Sequence, residues 1–95
     1  MNHVALTAVI VEAKPMRFTP AGLPAIDLRL ESESEVEEAG QKRKVQVAIR
    51  AVALGSNAER LAKQALGSVW KFSGFLATPR NVKTVVFHIQ EFQQD

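Results

Sequence analysis

Residues 41–50 read Gln-Lys-Arg-Lys-Val-Gln-Val-Ala-Ile-Arg. Three adjacent cations precede an alternating run that closes on a fourth. Lysines and arginines gathered in this way neutralise backbone phosphates and release condensed counterions. Binding of that kind is sequence-tolerant and weakens as salt rises. Lys44, Gln46, Ala48 and Arg50 share one side of the alternation, so the charge is laid along one strand face. Arg17, Arg80 and Lys83 supply further cations from two other parts of the chain. Phe18 follows Arg17, and Phe75 follows Gly74; each reads equally well as a base-stacking platform or as a core residue. The candidate nucleic-acid-binding set is Arg17, Phe18, Lys42, Arg43, Lys44, Gln46, Arg50, Arg80 and Lys83. The competing reading is a solvated face whose cations pair with Glu33, Glu35, Glu37 and Glu38. Such surface pairs are worth only about 0–1 kcal/mol, too little to outcompete a polyanion.

Other chemistries find no footing. The chain has no cysteine, which removes disulfides and thiolate metal ligation. His3 and His88 stand far apart, and neither neighbours a serine–acid pair that could form a nucleophilic triad. The acidic stretch lacks the ligand spacing of a calcium loop, and the glycines do not form a phosphate loop opening a helix. No enzyme activity, cofactor or metal is expected. Ninety-five residues suit one compact domain, 1–95, with a small core that dimerisation would reinforce. Net charge is only +2, but five of the ten acids lie between Glu31 and Glu38 while the cations lie elsewhere. No secretory pattern or membrane-length apolar run is present, so a cytoplasmic protein with no membrane partner is expected.

The elements that must position the cations follow from periodicity. A first strand spans 3–11, with Val4, Leu6, Ala8 and Ile10 inward and a second side, Ala5, Val9 and Val11, also fairly apolar. Such a strand is central or covered by a partner chain. Residues 13–24 carry turn chemistry at Pro20, Gly22 and Pro24. A second strand, 25–31, turns Ile26, Leu28 and Leu30 inward and Asp27, Arg29 and Glu31 outward. An acidic hairpin loop, 33–41, closes at Gly40, with helix an alternative for its middle. The third strand, 44–52, places Val45, Val47 and Ile49 inside. A helix starts at Ser56 or Asn57, buries Ala58, Leu61, Ala62, Ala65 and Leu66, and ends at Gly67. The fourth strand, 69–74, brings Trp70 and Phe72 to the core side, and Gly74 marks a bulge or bend. A polar loop, 78–84, leads to the fifth strand, 85–92, with Val85, Phe87 and Ile89 on one side and His88 opposite. Three strands, a short helix and two strands describe an all-β OB-fold, a five-stranded Greek-key barrel with the helix between strands three and four. An SH3-like barrel is the nearest rival.

In such a barrel the second and third strands and the loops after the first and fourth form one binding face. Arg17 lies in the first of those loops, and Arg80 and Lys83 in the second.

Pieces spread over nearly the whole chain resemble the primosomal replication protein N (PriB) family of small relatives of single-stranded DNA-binding protein. They include Asn2 before the first strand, Pro20-Ala-Gly22-Leu-Pro24, Leu30-Glu31, and Glu37-Glu-Ala-Gly40 ahead of a basic strand. Gly67-Ser68, Gly74-Phe75 and His88 complete the order. The resemblance implies a homodimer of OB-folds that binds single-stranded DNA. It further implies an accessory role with the PriA helicase in replication restart, with transfer to a primosomal loader protein. Arg17 and Arg80 match basic positions of the family, and Lys83 lies close to another. Two residues depart from the family pattern. Gln46 stands where a family example has tryptophan, and Glu33 where it has arginine; the loop after the fourth strand is also shorter. Lys42, Lys44 and Arg50 are the charges available to compensate for lost stacking. Two alternatives remain: a protein-binding OB adaptor with weak DNA affinity, and an RNA-binding OB domain.

Overall fold

A computed structural model describes residues 1–94. Its elements are β1 (Val4–Ala13), β2 (Arg17–Phe18), β3 (Pro24–Glu38), β4 (Gln41–Leu54), α1 (Ser56–Ala62), β5 (Val69–Ala77) and β6 (Val86–Gln93). The strand order is β1-β5-β6-β4-β3-β2, and a further pairing of β1 with β3 closes five strands into a barrel. This is the OB-fold arrangement, with α1 between β4 and β5. The two-residue β2, which pairs with Pro24 and Ala25, lies within the turn region expected at 13–24.

The expected inward residues fill the barrel. Ala8, Ile10, Ile26, Leu28, Leu30, Phe72, Phe87 and Ile89 are buried. Trp70 is half-buried, meets Phe92 edge-to-face at 5.2 Å, and donates its indole N–H to Ser68 Oγ. Val4 and Leu6 are partly buried against the same core. Asn2 pins the chain start by donating to the Leu76 carbonyl and accepting from the Leu76 amide.

Three expectations are corrected. The acidic segment 33–41 is not a loop. It is the distal half of a continuous β3–β4 ribbon, paired from Ala25↔Leu54 to Glu38↔Gln41. The turn is only Ala39-Gly40, and both residues have positive φ, as a tight two-residue hairpin requires. Secondly, Val45 and Val47 have inward parity but lie beyond the barrel, where they are 37% and 41% exposed. Val85 falls outside β6 and is exposed as well.

Thirdly, α1 ends at Ala62, and Gly67 does not cap it. Lys63 and Gln64 donate to carbonyls three residues back, tightening the last turn. The chain then crosses to β1, where the Gly67 amide donates to the Ile10 carbonyl and the Ile10 amide to the Ser68 carbonyl. That attachment pulls Ala62, Ala65 and Leu66 off the core, and all three are exposed. The helix start lacks a side-chain cap; Gly55 stands there with φ 71°.

Gly74 sits at a register shift between β5 and β6, as the bulge reading expected. A Cβ there would fall on the His88 carbonyl oxygen, a backbone atom that cannot turn aside. Gly74→Ala is therefore expected to lose about 3 kcal/mol of stability, read as a lower midpoint in urea unfolding. An unchanged midpoint would mean that the two strands part freely at this point.

Candidate nucleic-acid interface

Strand pairing decides which cations meet. On the outer face of the sheet, one row runs Asp27 (β3), Val52 (β4), His88 (β6), Phe75 (β5). The row beside it places Arg29 of β3 directly opposite Arg50 of β4. These rows as far as His88, the end of β1 and the 79–82 loop line a groove of roughly 640 Å³. Its polar wall holds Glu12, Lys14, Arg17, Asp27, Arg29, Arg50 and His88, and its apolar wall includes Leu54, Pro79, Val82 and Val86. Like charges directly across two strands destabilise a sheet. Arg29 against Arg50 is therefore a local cost, offset when an anion lies between them.

Arg17 reaches this groove through β2. Its Nε donates to Asp27 Oδ2 at 2.7 Å and its Nη2 to Oδ1 at 3.2 Å. The pair is a bidentate fork. Hydrogen bonding to Arg17 holds the Asp27 carboxyl below its usual range, although partial burial opposes this. The positive charges of Arg17, Lys14 and Arg50 act in the same direction as the hydrogen bonds. Asp27 raises the Arg17 guanidinium in return.

Of the candidate residues, Arg17 and Arg50 come together at this groove. Phe18 is 67% exposed next to Arg17, which favours the platform reading over the core one. Arg80 and Lys83 are exposed on the loop whose Pro79 and Val82 line the groove. Lys42, Lys44 and Gln46 share the outer face with Arg50, but far out on the ribbon. Lys44 lies six residues from Arg50, about 20 Å along an extended strand. Arg43 points to the opposite face from Lys42 and Lys44 by alternation. The hairpin cations are also engaged: Lys42 with Glu35 at 4.0 Å, Lys44 with Glu33 at 3.5 Å, and Arg43 with Glu38. The ion-paired reading of the acidic stretch thus describes the ribbon's geometry. Among the described residues, Lys14, Arg29, Arg50, Arg80 and Lys83 have no such partner.

Arg29 and Lys14 were not singled out from the sequence as site residues. The signal for Arg29 was its outward parity on the second strand; what it lacked was the register that sets it against Arg50. Phe75 stacks on His88 with centroids 4.8 Å apart and planes 12° apart. This half-buried pair ends the Asp27 row and offers an aromatic ledge on the outer face. No group of three or more His, Cys, Asp or Glu side chains gathers as a metal site among the described residues.

Comparison with known proteins agrees with this architecture. The pattern described as "another single-strand binding protein family" matches residues 2–91. Replication restart protein PriB of Bordetella pertussis is 48% identical over 92 residues, spanning 96% of this chain and 86% of that protein. The chain belongs to the PriB family. PriB of Neisseria meningitidis serogroup B is 39% identical over 94 residues, covering 98% of this chain and 93% of the relative. The PriB structure from Ralstonia solanacearum superposes with a TM-score of 0.91 at 37% identity, covering 99% and 97% of the two chains. A single-stranded DNA-binding protein variant from Thermus aquaticus gives a TM-score of 0.75 at 27% identity, over 98% of this chain and 49% of that one. The PriB family is one of binding proteins, not of enzymes.

The Arg17–Asp27 fork yields a pH prediction. A depressed native carboxyl contributes stability above its unfolded pKa and loses it as pH falls through its lower native value. Arg17 is half exposed, so screening holds the pair to roughly 0.5–1 kcal/mol. Asp27→Asn should cost that much in urea unfolding at pH 7. The gap from the wild-type chain should close on acidification through the native pKa of Asp27, where both side chains are neutral. A gap of constant size at every pH would show that packing, not the ion pair, carries the effect.

Proposed function

We propose that this chain binds single-stranded DNA along the outer face of β3 and β4, with the groove at Arg29 and Arg50 as its centre. The observation that carries the reading is that pair of facing arginines, neither within ion-pair distance of a carboxylate among the described residues although Glu12 and Asp27 line the same groove, set beside an apolar wall and an aromatic ledge. Phosphate between the guanidiniums would relieve their repulsion, and bases would lie against Val82, Phe18 or the Phe75–His88 stack. Arg80 and Lys83 extend the positive surface from the loop. Lys42, Arg43, Lys44 and Gln46 lie toward the ribbon tip and act as a peripheral contact, because their cations must first leave glutamates. We place the activity in the replication-restart primosome, as the names of the PriB relatives suggest. There the protein would stimulate the PriA helicase and pass the complex to a loader protein. It would act in the cytoplasm as one OB-fold unit, 1–95, per subunit.

The functional unit in this reading is a homodimer formed through β1. Residues Val4–Ala8 of β1 pair only with β5, because pairing with β3 begins at Val9. The other edge is open apart from Ser32 Oγ, which donates to the Thr7 carbonyl at 2.7 Å. An open apolar edge favours pairing with a second strand. Replacing Leu6 with Pro would remove a donor and fix φ in that segment. Because this change also risks the fold, Ala5→Lys is the companion variant, charging an exposed outer position. Sedimentation should give a dimer for the natural chain and a shift toward monomer for a folded Ala5→Lys variant. A natural chain sedimenting as a monomer would overturn the dimer.

The DNA reading is tested by fluorescence anisotropy with a labelled oligothymidine across potassium chloride concentrations. Loss of a charge-assisted phosphate contact is expected to weaken binding about tenfold or more in Arg50→Ala. The slope of log K against log salt should become shallower by about 0.7. Lys42→Ala and Lys44→Ala should each change affinity less than Arg50→Ala. If Arg50→Ala binds like the natural chain and the salt response is flat, the groove is not the binding surface. The paired ribbon cations and Gln46 in place of an aromatic favour one second reading, an adaptor whose chief ligand is protein. Weak oligonucleotide binding at low salt with a stable helicase complex would select it. Tighter binding to matched RNA than to DNA would select the RNA-binding alternative.

A further inference from the structure

Asp27 is the one carboxylate on the β3 side of the groove, and three cations surround it. Arg17 grips it with two hydrogen bonds, and Lys14 and Arg50 are close enough to stabilise its charge. A guanidinium fork binds a carboxylate and a phosphate through the same two parallel N–H bonds. Both anions cannot hold that edge of Arg17 together. We propose that Asp27 is an affinity-setting residue, a built-in stand-in for phosphate that occupies Arg17 until a bound strand displaces it.

This inference rests on the groove being the DNA surface and concerns what regulates its strength. In the free protein the fork fixes the Arg17 side chain beside the groove, which limits its conformational loss on binding. The same fork must open before the Nε–Nη2 edge of Arg17 can hold a phosphate; only the outer Nη1 side stays free while Asp27 is bound. The exchange replaces one anion with another. It therefore contributes little affinity and releases little net counterion, since the freed Asp27 must regain solvent or a cation. A protein with Arg17 already free would gain on both counts. Arg50, which has no ion-pair partner among the described residues, supplies the standing attraction. Arg17 supplies a conditional one.

The test compares Asp27→Asn and Asp27→Ser with the natural chain, using the same labelled oligothymidine and salt series. Serine is included because asparagine can still accept one bond from Arg17, whereas serine is too short to reproduce the fork. Both variants should bind about threefold to fivefold tighter at low salt. The salt slope should steepen by about 0.7, the value for one added single-strand phosphate contact. Removing a nearby negative charge could tighten binding without any exchange, so the decisive arm is Arg17→Ala. In that background, Asp27→Ser should lose most of its gain, because no fork remains to be released. A gain that persists undiminished in Arg17→Ala, or no gain at all while Arg50→Ala still weakens binding, overturns the inference and leaves the groove reading intact. Failure of Arg50→Ala to weaken binding removes the groove reading itself. Circular dichroism and sedimentation of each variant establish that the folded assembly is being compared.

Discussion

The register of β3 on β4 is the constraint on which the molecule depends. Side chains alternate along a strand, so a slip of one residue would move Leu28 and Leu30 out of the barrel and Arg29 into it. The Ala39-Gly40 turn fixes that register from one end, and the burial of Ile26, Leu28 and Leu30 fixes it from the other. Everything on the outer face follows. Arg29 meets Arg50, Asp27 lies beside Val52, and the acids of β3 lie alongside the bases of β4. One local choice of turn and one stripe of aliphatic residues thus decide the electrostatics of a surface that neither touches.

That surface divides into two electrostatic regimes. On the ribbon, each of Lys42, Arg43 and Lys44 has a glutamate within ion-pair reach, and the paired groups are well exposed. Exposed pairs of this kind are weak and screened, so they smooth the local field without locking the side chains. In the groove, Arg29 and Arg50 are also exposed, but they face one another beside a partly apolar wall with no carboxylate in ion-pair reach among the described residues. In the proposed reading the attraction for a phosphate chain resides there, although the ribbon carries the densest run of cations in the sequence. Counting charges along the chain identifies the ribbon; pairing the strands identifies the groove.

The barrel could be read from the sequence because its signals are local. Alternation at 26–30 and 85–89 and the change of period after Gly55 each depend on near neighbours. What misled were places where distant partners decide. Segment 33–41 looks like a loop because it is acidic, yet its glutamates are compatible with a strand once a basic strand pairs beside it. Val45 and Val47 carry the inward pattern, but nothing in the pattern shows where β1 and β6 stop covering it. The stripe from Ala58 to Leu66 suggests a longer helix, and only the bonds from Gly67 and Ser68 to Ile10 show why it ends early. At the site, Arg17 and Arg50 were legible as cations on the expected binding face. The Arg17–Asp27 fork and the Arg29–Arg50 opposition were not, since both require the register.

Two stretches of unpaired strand edge show how the same problem receives different answers. Beyond Glu31, β3 leaves β1, and among the described residues the distal ribbon has no strand neighbour on either side. A bare edge of that kind invites another strand. Here glutamates, lysines and an arginine flank both edges, so an incoming neutral strand would have to desolvate them. The charge ladder is accounted for by this protective role even where it contributes little to DNA affinity. Along Val4–Ala8 the open edge carries no charge at all, and its outer face is the small, uncharged pair Ala5 and Thr7. An edge left unprotected beside one that is heavily charged discriminates between surfaces, and this contrast is what favours β1 over the ribbon for the proposed dimer.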